Sequence, residues 1–348
     1  MTLNETSIHV YSHEEVSALV ALTTFILVLS VPANILVLLG YLTSPSARRK
    51  PSNLLLINMT LSELLTAVIV IPLQLVVHCT NSSLARKDGP WCKTVGVLTY
   101  PFYIVTVATM VCISIDRFYA IREPLKYKSK MTAKCIGLMI VYTWFHAAAF
   151  SFIFGFVVGV GYNKLSAVCS IVWDDHMGVS VFVAATHILL PFVLLMVLNL
   201  NLVASLRKQN RNLMNQLDRE LNVTDRVHAG KVHTRQAQER RVAGMVFWII
   251  STYLICWLPI LVTRSLQVTP VRSSPLIDAI SSLILHLSVV INPMLNLKFR
   301  KELRASVKRM CIRRNDVMPI RVLSRSFLSA VDADRSKLTG PVWTQSRS

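Results

Sequence analysis

Long apolar blocks separated by short polar stretches dominate the pattern of this chain. The blocks show neither the roughly 3.6-residue period of an amphipathic helix nor the two-residue alternation of a barrel strand. A hydrocarbon core about 30 Å thick is crossed by roughly 20 helical residues, and seven blocks reach that length. Because backbone groups in lipid must pair within their own segment, we predict seven spanning helices. We number these spans 1 to 7, at residues 16–41, 53–78, 93–119, 133–160, 178–206, 241–266 and 276–299.

The pattern changes after span 7. Residues 300–311 place Leu303 and Val307 on one helical face and basic side chains on the other, which predicts a short amphipathic helix along the membrane surface. Residues 312–348 are polar and rich in Ser and Arg, which is typical of a disordered tail. The predicted fold class is therefore all-α, a seven-helix transmembrane bundle (16–299) with an eighth helix.

Composition and charge fix the class and the orientation. The chain is 53% hydrophobic and 16% charged, as expected for an integral membrane protein. If the segment 1–15 is extracellular, all but six of the 37 Lys and Arg lie on the cytoplasmic side, as the positive-inside rule requires. We therefore expect a multi-pass protein of the plasma membrane. The net charge of +19 is explained by this topology, or by anionic lipid and acidic partners, without nucleic acid. The six external residues are Arg86, Lys87, Lys93, Lys164, Arg264 and Arg272.

The termini and loops carry candidate modification sites. Residues 1–15 lack the pattern of a cleavable signal peptide, so span 1 is expected to act as its own insertion signal. Asn4 and Asn81 begin glycosylation sequons that this topology places outside. Cys311 lies in the basic stretch after span 7, where palmitoylation and an inert tail cysteine are both compatible with the sequence.

Three of the seven cysteines fall on the external side, where disulfides persist. We favour a bond between Cys92, at the start of span 3, and Cys169, in the second external loop. Such a bond would hold that loop across the mouth of the bundle. A bond between Cys79 and Cys169 is the competing pairing.

A charged pair ends the uncharged stretch of span 3. Residues 94–115 carry no charge, and Asp116 and Arg117 follow directly. An ionisable residue within a span costs roughly 2.5 to 3.5 kcal/mol on insertion scales and persists where it has a partner or a function. The pair therefore marks a candidate functional site.

One characteristic residue or motif in each span resembles the rhodopsin-like (class A) G-protein-coupled receptors. The resemblance covers about residues 16–311, and the stretch Glu123–Tyr127 is most similar to the amine-receptor branch. The matching residues are Asn34, Asn58–Leu64, Cys92, Asp116-Arg117-Phe118, Trp144, Pro191, Cys256–Pro259 and Asn292-Pro293.

The resemblance implies a conformational switch. Pro259 and Pro293 lie deep in apolar runs, where a proline removes a helical hydrogen bond and kinks the helix. The family places Glu239 opposite Arg117, so that their contact would join spans 3 and 6 until span 6 moves outward. A local pair of Glu239 with Arg235, or simple exposure to water, is the alternative.

Partners follow from the same resemblance. We expect a heterotrimeric G protein, with the apolar Leu125 inserting into it from a cytoplasmic loop. Arrestin and receptor kinases are expected to act on tail hydroxyls, and the basic helix after span 7 is expected to contact membrane lipid. The candidate phosphorylation sites are Ser324, Ser326, Ser329 and Thr344.

The predicted pocket departs from its nearest branch. Thr99 stands where amine receptors carry the Asp that neutralises the ligand, and a buried ammonium without a counterion is costly. His286 stands at the lysine position of opsins, which excludes a retinal Schiff base. A neutral or anionic small ligand is expected instead, although each histidine could be a hydrogen-bonded core residue and Arg264 could pair with Asp278. The predicted pocket residues are Thr99, Tyr103, His187, Trp257, Arg264 and His286.

The switch departs from the family as well. Glu63 replaces the sodium-binding Asp, and its expected neighbours are Thr106, Ser288 and Asn292. We expect a polar cluster there, without a resident metal or other cofactor. Asn199 and Asn296 replace two tyrosines that meet through water in the active state. Asparagine is too short to span that gap, so G-protein coupling should be altered.

Other function classes fit less well. A transporter or ion-conducting protein would show internal repeats or a chain of ionisable groups across the bundle, and neither is visible. A membrane enzyme would need a nucleophile or metal cluster, for which His187 and His286 lack acidic partners in the sequence. We therefore expect a receptor and not an enzyme.

Overall fold

A computed structural model describes residues 11–81, 89–163, 168–171, 177–217, 226–266 and 274–313. The chain divides into two compact units, Met1–Ser306 and Val307–Ser348. The first unit holds the predicted spans. In the second, the structure describes the last part of one helix.

The structure confirms the predicted helical bundle. In the described part of the chain, seven helices are long and apolar enough to cross a membrane, at the positions of the seven predicted spans. Span 6 begins at Arg226, well before its apolar block, because the helix continues through polar sequence. In chain order the helices are His13–Thr43 (span 1), Pro45–Arg48, Asn53–Leu65 and Ile71–Cys79 (span 2), Pro90–Arg122 (span 3), Pro124–Lys130, Ala133–Ile153 (span 4), Met177–Val183 and Leu190–Leu217 (span 5), Arg226–Leu266 (span 6), Pro275–Phe299 (span 7) and Lys301–Arg313.

The described residues include three π-helical turns. Thr66–Val70 interrupts span 2, Ala184–Leu189 interrupts span 5, and Phe154–Val158 directly follows span 4. Pro259 and Pro293 lie inside the helices of spans 6 and 7. Proline lacks the backbone donor and crowds the preceding turn, so both helices have a local break in their hydrogen bonding.

Side-chain caps fix where several helices begin. The hydroxyl of Ser12 accepts from the backbone of Glu15, whose carboxylate accepts from Ser12 N, and the two bonds form a capping box. Thr132 and Ser274 cap spans 4 and 7 through their hydroxyls in the same position. Each cap satisfies a backbone N–H that the first helical turn leaves without a partner.

A β-hairpin packs against span 3. Its strands β1 (Val160–Asn163) and β2 (Val168–Ile171) are antiparallel, and Tyr162 pairs with Cys169. Cys169 is bonded to Cys92 across 77 residues, and Cys79 is a free, exposed cysteine. The favoured pairing is therefore confirmed. A Cβ atom at Gly96 would collide with the side chain of Val160, so this close approach requires glycine.

Two buried asparagines join the spans. Asn34 Nδ2 donates to the carbonyl oxygen of Val289 at 3.0 Å and ties span 1 to span 7. Asn58 Nδ2 donates to Thr109 Oγ1 at 2.8 Å, and Trp144 Nε1 donates to Asn58 Oδ1 at 2.8 Å. Asn58 thus connects spans 2, 3 and 4 in one place. Buried amides are stable only when they are bonded in this way.

Apolar side chains cover the outer surface of the bundle. Phe25, Phe145, Phe182 and Leu200 are each at least 60% exposed. A soluble protein rarely shows such extended apolar surface, and lipid is the solvent that suits it. We call the end of the bundle that carries Cys92 the disulfide end, and the opposite end, which carries Asp116 and Arg117, the Arg117 end.

Candidate functional site

The charged pair at the end of span 3 is buried. Asp116 is 1% exposed and Arg117 is 6% exposed. Arg117 Nε donates to Asp116 Oδ2 at 2.9 Å, and Arg117 Nη2 donates to the same oxygen. A buried charge requires a partner of this kind, because leaving one charge unpaired in the interior costs several kcal/mol, roughly 3 to 5. Asp116 and Arg117 thus form a buried pair of opposite charges at the Arg117 end of the bundle.

Tyr127 completes this unit, and sequence reasoning assigned it no role. Its hydroxyl donates to Asp116 Oδ1 at 2.7 Å and accepts from Arg117 Nη2 at 3.3 Å. Burial raises the pKa of Tyr127 to about 12, so the phenol is protonated at physiological pH and can donate. The bond fixes the short helix Pro124–Lys130 against span 3.

Leu125 lies on the same short helix and projects from it. It is 96% exposed, and its neighbours Glu123 and Lys126 form an exposed ion pair at 3.5 Å. The arrangement presents one apolar side chain among charges at the Arg117 end. The side chain of Glu239 lies outside the described part of the chain, so its contact with Arg117 stays a prediction.

A chain of hydrogen bonds links spans 1, 2 and 7 in the interior. Asn292 Nδ2 donates to Glu63 Oε1 at 2.6 Å, and Asn296 Nδ2 donates to the carbonyl oxygen of Asn292 at 3.1 Å. Tyr41 then donates from its hydroxyl to Asn296 Oδ1 at 2.9 Å. All four residues are buried. Tyr41 was missed in the sequence, where it is one more aromatic residue at the end of an apolar run.

This series of interior contacts continues to Arg300, directly after span 7. The guanidinium of Arg300 lies 5.3 Å from the centre of the Tyr41 ring, within the range of a cation–π contact. Arg300 Nη2 also donates to Asn53 Oδ1 at 2.7 Å. Arg300 is 7% exposed, and these contacts hold its charge at the Arg117 end of spans 1, 2 and 7.

Two side chains that were expected beside Glu63 have other hydrogen-bond partners. Thr106 Oγ1 bonds to Ser62 Oγ at 2.8 Å, and Ser288 Oγ donates to the carbonyl oxygen of Leu285. Glu63 Oε1 is taken by an amide, which leaves Oε2 as the carboxylate oxygen without a partner among the described residues. A hard cation needs several converging oxygens. Within the described ranges, no group of three or more His, Cys, Asp or Glu side chains could hold a metal ion.

Three predicted pocket residues meet near the disulfide end. The hydroxyl of Tyr103 in span 3 is hydrogen-bonded to His286 Nε2 in span 7 at 2.7 Å. The rings of Tyr103 and of Trp257 in span 6 meet edge to face, with 6.1 Å between ring centres. Trp257 in turn packs on Tyr253, one turn deeper, at 5.2 Å. A ligand that contacts this group would touch three spans at once.

A small cavity, with room for about one water molecule, lies beside Trp257. His187 in span 5 lines it, together with the ring of Tyr253, whose hydroxyl has no hydrogen-bond partner among the described side chains. The indole Nε1 of Trp257 is buried and is likewise without a described partner. The cavity therefore combines apolar walls with free donors. Its lining residues are Val107, His187, Ile188, Phe192, Leu195, Tyr253, Leu254, Trp257 and Leu261.

Comparison with known proteins assigns the family. The family model for the 7 transmembrane receptor (rhodopsin family) matches residues 33–296. The chain belongs to this family of G-protein-coupled receptors. The receptor has the same fold as squid rhodopsin, with a TM-score of 0.73 and 18% identity, over 95% of this chain and 93% of that one.

Two named receptors are similar in sequence. The human G-protein coupled receptor 26 is 27% identical over 248 residues, which are 68% of this receptor and 73% of that protein. The alpha-2B adrenergic receptor of Orycteropus afer is 33% identical over 134 residues, which are 38% of this receptor and 34% of that one. The second match therefore covers one part of each chain.

Thr99 and His187 have hydrogen-bond partners outside the central group of Tyr103, Trp257 and His286. Thr99 Oγ1 donates to the carbonyl oxygen of Val95 at 2.7 Å, within its own helix. His187 stacks on His146 of span 4, with 5.1 Å between ring centres, and its Nδ1 is hydrogen-bonded to a neighbouring threonine. The side chain of Arg264 lies outside the described residues, and Asp278 is buried.

The two asparagines that replace the family's tyrosines have separate partners in the receptor. Asn199 Nδ2 donates to Ser251 Oγ of span 6 at 3.4 Å, whereas Asn296 bonds to Tyr41 of span 1. Of the predicted modification sites, Asn81 is described, and it follows the end of span 2. Asn4, the side chain of Cys311 and the tail 314–348 lie outside the described residues.

Proposed function

We propose that the receptor binds a small extracellular ligand near the disulfide end and activates heterotrimeric G proteins at the Arg117 end. The observation that carries this proposal is the arrangement of Asp116, Arg117 and Tyr127 beside the exposed Leu125. A neutralised, buried arginine next to a projecting apolar side chain is a surface that a partner can recognise once the arginine is released. The arrangement in which Asp116 holds Arg117 is taken as the resting one.

Signal transmission runs through span 6. Trp257 contacts Tyr103, and Pro259 follows it by two residues, at a position where the helix lacks one backbone hydrogen bond. A ligand that shifts Trp257 can therefore change the angle of span 6 below the proline. Outward movement would separate Glu239 from Arg117 and open a cavity for the G protein. A ligand that binds the open state more tightly, by a few kcal/mol, is sufficient.

The ligand class follows from the pocket. Thr99 replaces an acidic partner, and the described groups near Trp257 are neutral donors or histidines, as at His286 and in the cavity lined by His187. A neutral or anionic small molecule fits these groups, with Arg264 as the candidate partner for an anion. A monoamine would be buried without a counterion at this position.

Coupling of the receptor to G proteins is proposed to differ from that of family members that carry tyrosines in place of both Asn199 and Asn296. Tyr41 supplies from span 1 the hydroxyl that Asn296 cannot supply from span 7. Because Tyr41 lies on another helix, it cannot follow span 7 toward Asn199 when the bundle opens. The active state would therefore lack one stabilising contact, and coupling would be less efficient.

The receptor is proposed to lie in the plasma membrane with its N-terminus outside, glycosylated at Asn4 and Asn81. The helix Lys301–Arg313 is proposed to lie on the inner leaflet with a palmitoylated Cys311. Receptor kinases and arrestin are proposed to act on the tail.

Nucleotide exchange on purified heterotrimers tests the proposal. We would reconstitute the receptor in nanodiscs and measure basal exchange for each G-protein class. Arg117→Ala and Leu125→Ala should both lower exchange, whereas Lys126→Ala, whose side chain is exposed in the same helix, should leave it unchanged. A receptor that catalyses no exchange with any heterotrimer, but moves ions or solutes across proteoliposomes, would support the transporter alternative instead.

A further inference from the structure

Tyr11 is buried although it precedes the first helix. Its side chain is 3% exposed, and it belongs to the apolar cluster that joins spans 1, 2 and 7. Part of the burial of Tyr11 comes from local packing, because Tyr11 directly precedes the cap residue Ser12. An apolar side chain in that position commonly packs on the fourth helical residue, here Val16. A local staple of this kind needs no contact with other spans.

Asn81 holds the backbone of Tyr11 from the other side. Tyr11 N donates to Asn81 Oδ1 at 3.1 Å, and Asn81 Nδ2 donates to the carbonyl oxygen of Tyr11 at 2.9 Å. The carboxamide therefore pairs with the backbone as a neighbouring strand would. Asn81 has a φ of 44°, in the left-handed region that asparagine tolerates better than most residues. The turn after span 2 is thus shaped to hold residue 11.

The side chain of Tyr11 fills a site made by three spans. The edge of its ring meets His78 of span 2, with 6.4 Å between ring centres and planes at 70°. Its hydroxyl donates to the carbonyl oxygen of Pro275, the first residue of span 7, at 3.4 Å. Tyr162 of the hairpin packs against the same cluster. We call this site, formed around Tyr11 by His78, Asn81, Pro275 and Tyr162, the vestibule.

The vestibule contains polar groups that Tyr11 does not satisfy. His78 is 1% exposed, and neither of its ring nitrogens has a hydrogen-bond partner among the described residues. Burial raises the pKa of the Tyr11 phenol, and the neighbouring Tyr162 and Asp278 raise it further. The site therefore holds the neutral form of a phenol. It also offers an acceptor to its hydroxyl and an imidazole to its ring.

We propose that the vestibule is a binding site for a neutral phenol, and that Tyr11 occupies this site as a tethered ligand of the receptor's own chain. A free phenol would bind when Tyr11 leaves, so the segment before span 1 competes with external ligands. The contacts of Tyr11 with His78, Asn81 and Pro275 support the binding site. Its influence on signalling rests on the function proposed in the preceding subsection.

Removing Tyr11 and supplying its side chain separately tests the site. The probe is 4-methylphenol, which is the tyrosine side chain without the backbone. We expect Tyr11→Ala to lower the Tm of the purified full-length receptor, and 4-methylphenol at several times its Kd to raise it again by roughly 2–4 °C. Toluene, which lacks the hydroxyl, should raise it less. The unaltered receptor should not respond, because its site is filled.

Asn81→Ala provides a second variant if Tyr11→Ala does not fold. It releases the backbone of residue 11 and should give a smaller rise with 4-methylphenol. Ser83→Ala is its control, because it removes the glycan proposed for Asn81 but keeps the amide oxygen and nitrogen that bind the backbone of Tyr11. It should behave like the unaltered receptor.

Three results would overturn the proposal. The first is that 4-methylphenol raises the Tm of neither Tyr11→Ala nor Asn81→Ala. The second is an equal rise in the unaltered receptor, which would indicate binding elsewhere. The third is an equal effect of toluene, which would remove the role of the hydroxyl. The measurement contains no G protein, so its failure is independent of a failure of the proposed signalling.

Discussion

Tyr41 in span 1 donates its hydroxyl hydrogen to Asn296 Oδ1 in span 7, over a distance of 2.9 Å. Both side chains are fully buried. The bond joins two spans at the position where the family carries a tyrosine in span 7, and it places the hydroxyl on the other helix.

Tyr41→Phe should raise basal G-protein activation. The variant keeps the ring but leaves Asn296 Oδ1 buried without its donor, which costs about 1 to 3 kcal/mol in the resting arrangement. We expect basal nucleotide exchange to increase at least about fivefold. Tyr142→Phe is the control, because Tyr142 is 61% exposed on span 4. Equal exchange by both variants at equal receptor amounts would contradict a switch role for the bond.

Tyr127→Phe should weaken coupling without unfolding the receptor. The variant loses the 2.7 Å bond to Asp116, so the short helix that carries Leu125 is held less firmly. A single bond to a charged group contributes about 1.5 to 3 kcal/mol. We expect a higher G-protein concentration for half-maximal exchange, together with a Tm that is lower by a few degrees. Tyr119→Phe serves as the comparison, and an unchanged half-maximal concentration in Tyr127→Phe would rule the tether out.

Glu239→Ala should increase ligand-independent signalling. The predicted contact with Arg117 stabilises the closed arrangement, and its loss would shift the population toward the open one. Gln238→Ala, one residue away, provides the control. The measurement is basal second-messenger output in cells. At matched surface expression, output equal to that of the unaltered receptor would count against the contact.

Glu63→Gln and Glu63→Leu should differ in stability. Gln keeps an oxygen that can accept from Asn292 Nδ2, whereas Leu leaves this buried donor unpaired at a cost of about 1 to 3 kcal/mol. Thermal unfolding of the purified receptor should therefore show a lower Tm for Glu63→Leu than for Glu63→Gln. If the two variants unfold together, the amide bond contributes little.

Cys92→Ser should destabilise the receptor, whereas Cys79→Ser should not. The disulfide closes a loop of 77 residues, and closure of such a loop is worth about 4 kcal/mol in the chain-entropy description. Cys79 is exposed and free. Reductant should lower the Tm of the unaltered receptor and of Cys79→Ser, but not the Tm of Cys92→Ser. If the effect of reductant on the Tm disappeared in Cys79→Ser, the assignment of the disulfide to Cys92 and Cys169 would be wrong.

The elements that depend on hydrophobic length could be predicted from the sequence. The seven spans follow from apolar blocks and the helix after them follows from its amphipathic pattern, and neither signal needs knowledge of tertiary contacts. The pairing of Cys92 with Cys169 was favoured over Cys79 and is confirmed. The helix ends were less accurate, because caps such as Ser12 and polar extensions such as Arg226 lie outside the apolar blocks.

The side-chain partners could not be predicted, because they are far apart in the sequence. Tyr41 and Asn296 are separated by 255 residues, and Tyr11 and Asn81 by 70. No period or spacing links such pairs, and an isolated tyrosine in an apolar run looks like ordinary core. The central group of Tyr103, Trp257 and His286 was predicted as part of the pocket, but its internal hydrogen bond was not.

The distribution of hydrogen bonds between spans has a mechanical consequence. Asn34, Asn58 and Glu63 join spans 1, 2, 3, 4 and 7 through bonds of 3.0 Å or less. Between described side chains, spans 5 and 6 share one long bond, from Asn199 to Ser251, and have none to the other five spans. Among the described side chains, five helices therefore form a hydrogen-bonded frame, and spans 5 and 6 pack on it without hydrogen bonds of this kind. Sliding this packing breaks none of the hydrogen bonds between the described side chains of the frame, so spans 5 and 6 can move while the other five spans keep their arrangement.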